Sequence, residues 1–294
     1  MALTVNTNIS SLVAQHNLSK ATISLNQAIE RMTTGSKINR AADNAAGYSI
    51  AKNWEVKLSS LDIAADNAAT GSDLLSTLED NCSLIQSHLQ RVKDLTEQAA
   101  NGTYGTSSRS AIESEITARL DEIDRIANNC EFNDIYLLKG VSDLTTNGLT
   151  FQVGLDGTAD SKITVDKTVF KSATSVALMG DSTNTETYIG ADKDAIAAAC
   201  SGNNASAQLS KLNKAIEAVS TRITKIGAAN NRIDSAIESI SVQSENITSS
   251  LSTLRDADIA AESSRYIQAQ ILQQAASTLL STANQTPSIA LNLL

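Results

Sequence analysis

The chain has 294 residues, 41% of them hydrophobic but only 3% aromatic, with one proline. Its formal net charge is −9, which argues against a nucleic-acid partner, since that needs a basic face. Many small aliphatic side chains with few rings favour thin helical layers over a thick globular core, so the expected fold class is mainly α.

Charge is unevenly spread. Met1–Ser19 contains no Asp, Glu, Lys or Arg, and neither does the 29-residue tail Tyr266–Leu294. Polar residues still interrupt every apolar run there, so no membrane span is expected. The N-terminus lacks the basic and continuous apolar regions of a Sec signal peptide. Both ends read as helices buried against protein, where a charge would cost on the order of several kcal/mol.

In chain order, a first helix is expected over about 10–33, with the row Ala14, Leu18, Ala21, Leu25, Ala28 and Met32. Gly35 ends it. The polar stretch Gly35–Gly47 is a connector. A long helix then covers about 50–100, roughly 75 Å at ~1.5 Å per residue. Its row is Leu61, Ala64, Ala68, Gly71, Leu75, Leu78, Cys82, Ile85, Leu89, Val92, Thr96 and Ala99. Asn101–Gly105 is rich in turn residues and breaks it. Ser107 or Ser108 is the expected cap of a helix over 109–129. Seven of the 13 glycines lie between Gly140 and Gly202. Alternating segments at Leu149–Gly154 and Lys162–Phe170, with Asp156-Gly157 between them, predict a hairpin. Helix returns near Ser206 with the row Leu209, Leu212, Ile216, Val219, Ile223, Ile226, Asn230, Ile233, Ile237, Ile240, Ser244, Ile247, Leu251 and Leu254. Steps alternate between three and four residues, the mark of a coiled-coil seam. A last helix is expected to about Asn284.

The order is thus nested: short helix, long helix, insert, long helix, short helix. It predicts a long antiparallel coiled-coil or helical-bundle rod formed by both chain ends, with a small β-rich insert in the middle. The expected division is 1–43 with 257–294 as terminal helices ordered on assembly, 44–141 with 203–256 as the rod, and 142–202 as the insert.

Catalytic chemistry has no foothold. His16 and His88 are the only histidines and lie in different segments, and no metal-ligand or phosphate-loop motif is present. No enzyme activity, cofactor or metal is expected. Cys82, Cys130 and Cys200 are too scattered for a disulfide framework or a zinc site, and read as small core residues.

Several motifs stand out: Asn6-Thr7-Asn8-Ile9-Ser10-Ser11-Leu12, Arg31-Met32-Thr33-Thr34-Gly35-Ser36-Lys37-Ile38-Asn39, Ala41-Ala42-Asp43-Asn44-Ala45-Ala46-Gly47, and Ser252-Thr253-Leu254-Arg255-Asp256-Ala257-Asp258-Ile259-Ala260 with Glu262. With these motifs the chain resembles bacterial flagellin. In the middle, Phe151-Gln152-Val153-Gly154 is the main match. The resemblance implies a homo-oligomeric helical filament of the bacterial flagellum, extracellular, with the paired ends forming its inner tube. It implies export through the flagellar type III apparatus, with a flagellin export chaperone and the flagellar cap and junction proteins as further partners. The apolar tail and the first helix, uncharged up to Ser19, point to Ile9, Leu12, Leu18, Leu25, Ile267, Leu272, Leu279 and Leu280 as polymerisation residues.

Many flagellins are bound by Toll-like receptor five, a host receptor, through the long helix and the next one. The matching residues are Gln90, Arg91, Leu95 and Gln98, with Glu115 on the following helix. The resemblance makes Arg91 and Leu95 anchors on a face beside the seam. The three cysteines and the absence of a terminal Arg depart from the family pattern, and Cys200 in the insert raises the question of a reactive thiol. The alternatives are a hook–filament junction protein, which matches the terminal motifs less fully, and a secreted coiled-coil adhesin, which would leave the uncharged ends exposed. A catalytic insert of the metalloprotease kind is excluded, because the insert has no histidine.

Overall fold

The computed structural model describes residues 8–179, 193–202 and 205–291. Helix α1, Ile9–Thr34, begins where the Asn8 side chain accepts the Ser11 N–H at 3.1 Å. It ends at Gly35, which takes the left-handed conformation with φ 69°. Helix α2, Ala45–Ala100, starts behind Asn44, whose Oδ1 accepts the Gly47 N–H at 2.9 Å. Helix α3 spans Thr106–Asn129. Its cap is Gly105, whose carbonyl accepts the Arg109 N–H at 3.0 Å, so Ser107 and Ser108 lie inside the first turn and do not cap it. Helix α7, Ala205–Arg255, follows the insert, and α8, Ile259–Leu291, follows the cap Asp258, whose Oδ1 accepts from Ala260 and Ala261. Helix α8 runs past Asn284 and through Pro287. Pro287 has no N–H to donate to the Ala283 carbonyl, and that carbonyl accepts from the Asn8 side chain at 2.6 Å instead.

Between α3 and α7 the chain makes smaller elements. Strands β1, Glu131–Phe132, and β2, Ile135–Tyr136, pair across Asn133 and Asp134. Both turn residues have positive φ, 50° and 64°, as a two-residue hairpin of this hand requires. Helix α4, Ser142–Asn147, precedes β3, Leu149–Gln152, which pairs antiparallel with β4, Lys162–Val165, from Leu149↔Val165 to Gln152↔Lys162. The connection from Val153 to Ser161 includes a 3-10 turn, Ala159–Ser161. Asp156-Gly157 therefore lies within a long loop and does not close a tight hairpin. Helices α5, Ser175–Met179, and α6, Lys193–Ser201, complete the described insert.

The chain forms two compact units. One comprises Met1–Leu58 with Ser244–Leu294, the other Ser59–Gln243. In the second unit every member of the α2 row from Leu61 to Ala99 is buried. A Cβ on Gly71 would lie 3.0 Å from the Phe151 ring, and Asn67 Nδ2 donates to the Gln152 carbonyl, so the glycine gives β3 its seat on α2.

Helix α7 behaves differently. Leu212, Val219, Ile226, Ile233 and Ile240 are buried, but the alternate members Leu209, Ile216, Ile223 and Ile237 are only half-buried. Ala215 and Ala229 are buried in their place. The buried stripe of α7 is thus rotated to one side of the predicted seam. The half-buried Asn230 accepts the Ser72 hydroxyl at 2.9 Å, giving a polar seam position a fixed partner. Earlier along α7, Arg222 donates to the carbonyls of Lys171 and Ser172 at 2.9 and 3.1 Å. Lys225 holds the Asp166 carboxylate and the Thr168 hydroxyl. Two cations three residues apart on α7 therefore fasten the end of the β4 segment.

All three cysteines are free and buried. Burial pushes the Cys82 and Cys200 thiols up to about 11 and that of Cys130 to about 12, so none is a thiolate at neutral pH. Cys200 is thus a packed core group, and its reactivity question is answered by burial. A thiol reagent at pH 8 is expected to leave the native chain unlabelled and to label all three sites in denaturant; rapid native labelling would contradict this packing.

Candidate functional site

The terminal helices meet through their smallest residues. Ala14, Ala21 and Ala28 of α1 are buried, and so are Ala269, Ala276 and Ala283 of α8. Both sets recur every seven residues, and the helices run antiparallel. The Asn8 side chain donates to the Ala283 carbonyl at 2.6 Å, Ser11 to Asn284 at 2.7 Å and Gln273 to Thr22 at 3.2 Å. Alanine lets two helices approach closely but buries little area, each methyl contributing under about 1 kcal/mol.

The larger apolar residues of this pair point elsewhere. Ile9 is 69% exposed, Leu279 62%, and Leu12, Ile267 and Leu272 more than half. Leu18, Leu25 and Leu280 are half-buried at the margins of the alanine seam. Sequence reasoning missed Val13, Ile23, Ile29 and Ile259, which are also exposed. Their signal was available: they are apolar residues off the seam, Val13 within the uncharged first 19 residues. Isolated apolar residues on a surface are ordinary, but two helices carrying them on several faces need another covering surface.

The connectors at the far end of the pair are joined by main chain. Lys37 N–H donates to the Arg255 carbonyl at 2.6 Å and Ala257 N–H to the Gly35 carbonyl at 2.8 Å. Lys37 Nζ reaches the Thr253 carbonyl, and Arg255 pairs with Glu55. The connector motifs around Gly35–Lys37 and Thr253–Ala257 are thus brought together, which explains why polar and charged residues cluster there.

The second candidate surface lies on α2 and α3. Arg91 donates from Nε and Nη2 to Glu115 Oε1, each at 2.9 Å. Both side chains remain about two-fifths exposed. Gln90 and Gln98 are exposed. Leu95 is not: it is 2% exposed. The expectation that Leu95 presents an anchor beside the seam is therefore corrected. The Arg91–Glu115 pair shows that α3 lies along this flank, so the residue one turn beyond Arg91 is covered. Among the described residues, no cluster of His, Cys, Asp and Glu is arranged to hold a metal, and no helix is long and apolar enough to cross a membrane.

The description of the bacterial flagellin N-terminal helical region matches residues 5–143, and that of the C-terminal helical region matches residues 209–294. The chain belongs to the bacterial flagellin family. It is 33% identical to the flagellins of Bacillus subtilis and Listeria monocytogenes, with 99% of each chain covered. It is 30% identical to polar flagellin F of Vibrio parahaemolyticus over the full length of both. A crystal structure of Bacillus cereus flagellin is similar with a TM-score of 0.45 and 24% identity, covering 63% of this chain and 94% of that one. As a flagellin, the chain is a structural subunit of the flagellar filament and not an enzyme, and it assembles with copies of itself outside the cell. The two family regions coincide with the helical ends; the stretch between them holds the β3–β4 hairpin, α5 and α6.

Proposed function

We propose that α1 and α8 form the inner layer of the filament, with Ile9, Leu12, Leu18, Leu25, Ile267, Leu272, Leu279 and Leu280 as the polymerisation residues. The observation that carries this is the alanine seam: the pair uses its small residues internally and leaves most of its large ones exposed. Neighbouring copies supply the missing cover. Residues 1–43 with 257–294 then act as the assembly layer, 44–141 with 203–256 as the surrounding helical layer, and 142–202 as the outer insert. Flagellar cap and junction proteins meet the same terminal helices at the filament's ends.

Export takes the chain unfolded through the flagellar type III apparatus, with a flagellin export chaperone shielding the apolar ends beforehand. Free thiols suit that route, because no disulfide must be made or broken during passage. Once outside, the unassembled subunit is recognised by Toll-like receptor five through Gln90, Arg91, Gln98 and Glu115. Leu95 contributes from beneath by holding this part of α2 against its neighbours. An Arg with a fixed carboxylate partner and two exposed amides makes a preorganised polar patch. Arg91→Ala is expected to weaken monomer binding to the receptor tenfold or more, about 1.4 kcal/mol. The helical circular-dichroism signal is expected to stay unchanged, since Arg91 is only half-buried. Equal binding by the parent and Arg91→Ala, measured by surface plasmon resonance, would remove the receptor from this patch.

A further inference from the structure

The alanine seam between α1 and α8 does not define its own alignment. Ala14, Ala21 and Ala28 face Ala269, Ala276 and Ala283, and both sets are spaced by seven. Sliding one helix by seven residues, about 10.5 Å, sets alanine on alanine again. Of the hydrogen bonds along the pair, Ser11–Asn284 is exposed and Asn8–Ala283 and Gln273–Thr22 are part-buried; each is worth only about 1 kcal/mol net against water. Something else must separate the native alignment from the slipped one.

The next seam position on α8, seven residues before Ala269, holds Glu262, only 4% exposed. Its Oε2 accepts from Arg265 Nη1 at 2.9 Å, and its Oε1 lies 3.7 Å from Arg31 Nη1. Arg265 belongs to the same helix and travels with Glu262. Arg31 belongs to α1, so its contact exists only in one alignment. The charged residues of α1 are Lys20, Glu30 and Arg31, and those of α8 are Glu262 and Arg265. Slipping Glu262 towards the start of α1 sets it beside Ser24, a turn away from Lys20. Slipping it the other way carries it beyond Thr34, where α1 has ended. A buried carboxylate that loses one of its two cations is disfavoured, and a single polar seam residue is a recognised means of fixing alignment.

We infer that Glu262, paired with Arg31, is the residue that sets the register of the terminal helix pair. The main-chain bonds from Lys37 to Arg255 and from Ala257 to Gly35 lie at the same end and also oppose slipping. The test separates the two devices. Glu262→Ala leaves those bonds untouched and lengthens the alanine row by one member. Register is read by disulfide trapping in the dilute full-length chain, where the buried native thiols do not compete. Ser11→Cys with Asn284→Cys reports the native alignment, and Ser11→Cys with Ser277→Cys reports the alignment slipped by seven.

In the parent background only the native pair is expected to cross-link appreciably. Glu262→Ala is expected to raise the ratio of slipped to native cross-link at least tenfold. Arg31→Met, which removes the cation at similar length, is expected to raise it in the same direction. An unchanged ratio in both variants would mean that the connector bonds alone set the register. Equal loss of both cross-links would mean that Glu262 holds the helices together without choosing their alignment. Either result overturns the inference.

Discussion

Removing Tyr266–Leu294 is expected to abolish polymerisation while leaving the Ser59–Gln243 unit folded. The deleted segment carries Ile267, Ile271, Leu272 and Leu279, all exposed in the single chain, and supplies Ala269, Ala276 and Ala283 to the seam with α1. Without it, α1 loses its partner and the assembly layer loses half of its apolar surface. The buried rows of α2 and α7 from Leu61 to Ile240 do not involve that segment. Sedimentation is therefore expected to find only monomer, at concentrations where the full chain forms filaments. Circular dichroism is expected to retain the helical signal of α2, α3 and α7. Filaments formed by the truncated chain would refute the assignment of α8 to assembly.

Ile233→Asp is expected to have the largest effect on the fold itself. Ile233 is fully buried on α7, in line with Ile226 and Ile240. A carboxylate there gains no cation and no hydrogen-bond donor, so a loss of about 3 kcal/mol or more is expected. Thermal unfolding followed by circular dichroism reads this directly, and an unchanged midpoint would mean that the α7 row is not a core. Asn230→Leu is the informative contrast. It removes the acceptor of the Ser72 hydroxyl, but the position is half-buried and the serine can turn to water. A small change in either direction is expected there.

These two outcomes depend on features that differ in how plainly the sequence showed them. The α2 row was legible in full because its partners lie along one line, and every member from Leu61 to Ala99 is buried. The α7 row was only half legible. A three-four spacing identifies a seam but not how far the helix is rotated about it, and Ala215 and Ala229 took the places assigned to Ile216 and Asn230. Leu95 was misread for a related reason. Periodicity along one helix describes one covered side, whereas α3 covers a second flank of α2 at the Arg91–Glu115 pair. Local turn chemistry was a weaker guide. Asp156-Gly157 has the composition of a tight hairpin turn, but Gln152 pairs with Lys162, and the nine intervening residues make a longer loop. Asn133-Asp134, where both residues take left-handed conformations, formed the tighter turn. The pairing of the chain ends followed from their shared lack of charge; the burial of Glu262 did not, because a glutamate in a first helical turn usually faces solvent.

The central claim is that α1 and α8 join through alanine and depend on neighbouring copies to cover their larger side chains. Hydrogen exchange on the dilute chain and on the assembled filament tests it most directly. In the dilute chain, amides of residues 9–34 and 259–291 are expected to exchange far faster than those of α2 and α7 around Leu75 and Ile226, because the alanine seam alone opens readily. In the filament they are expected to slow by roughly 100-fold or more, equivalent to about 3 kcal/mol of added protection, while exchange near Leu75 changes little. Equal protection of the terminal helices in both states would show that they need no neighbours, and would contradict the account.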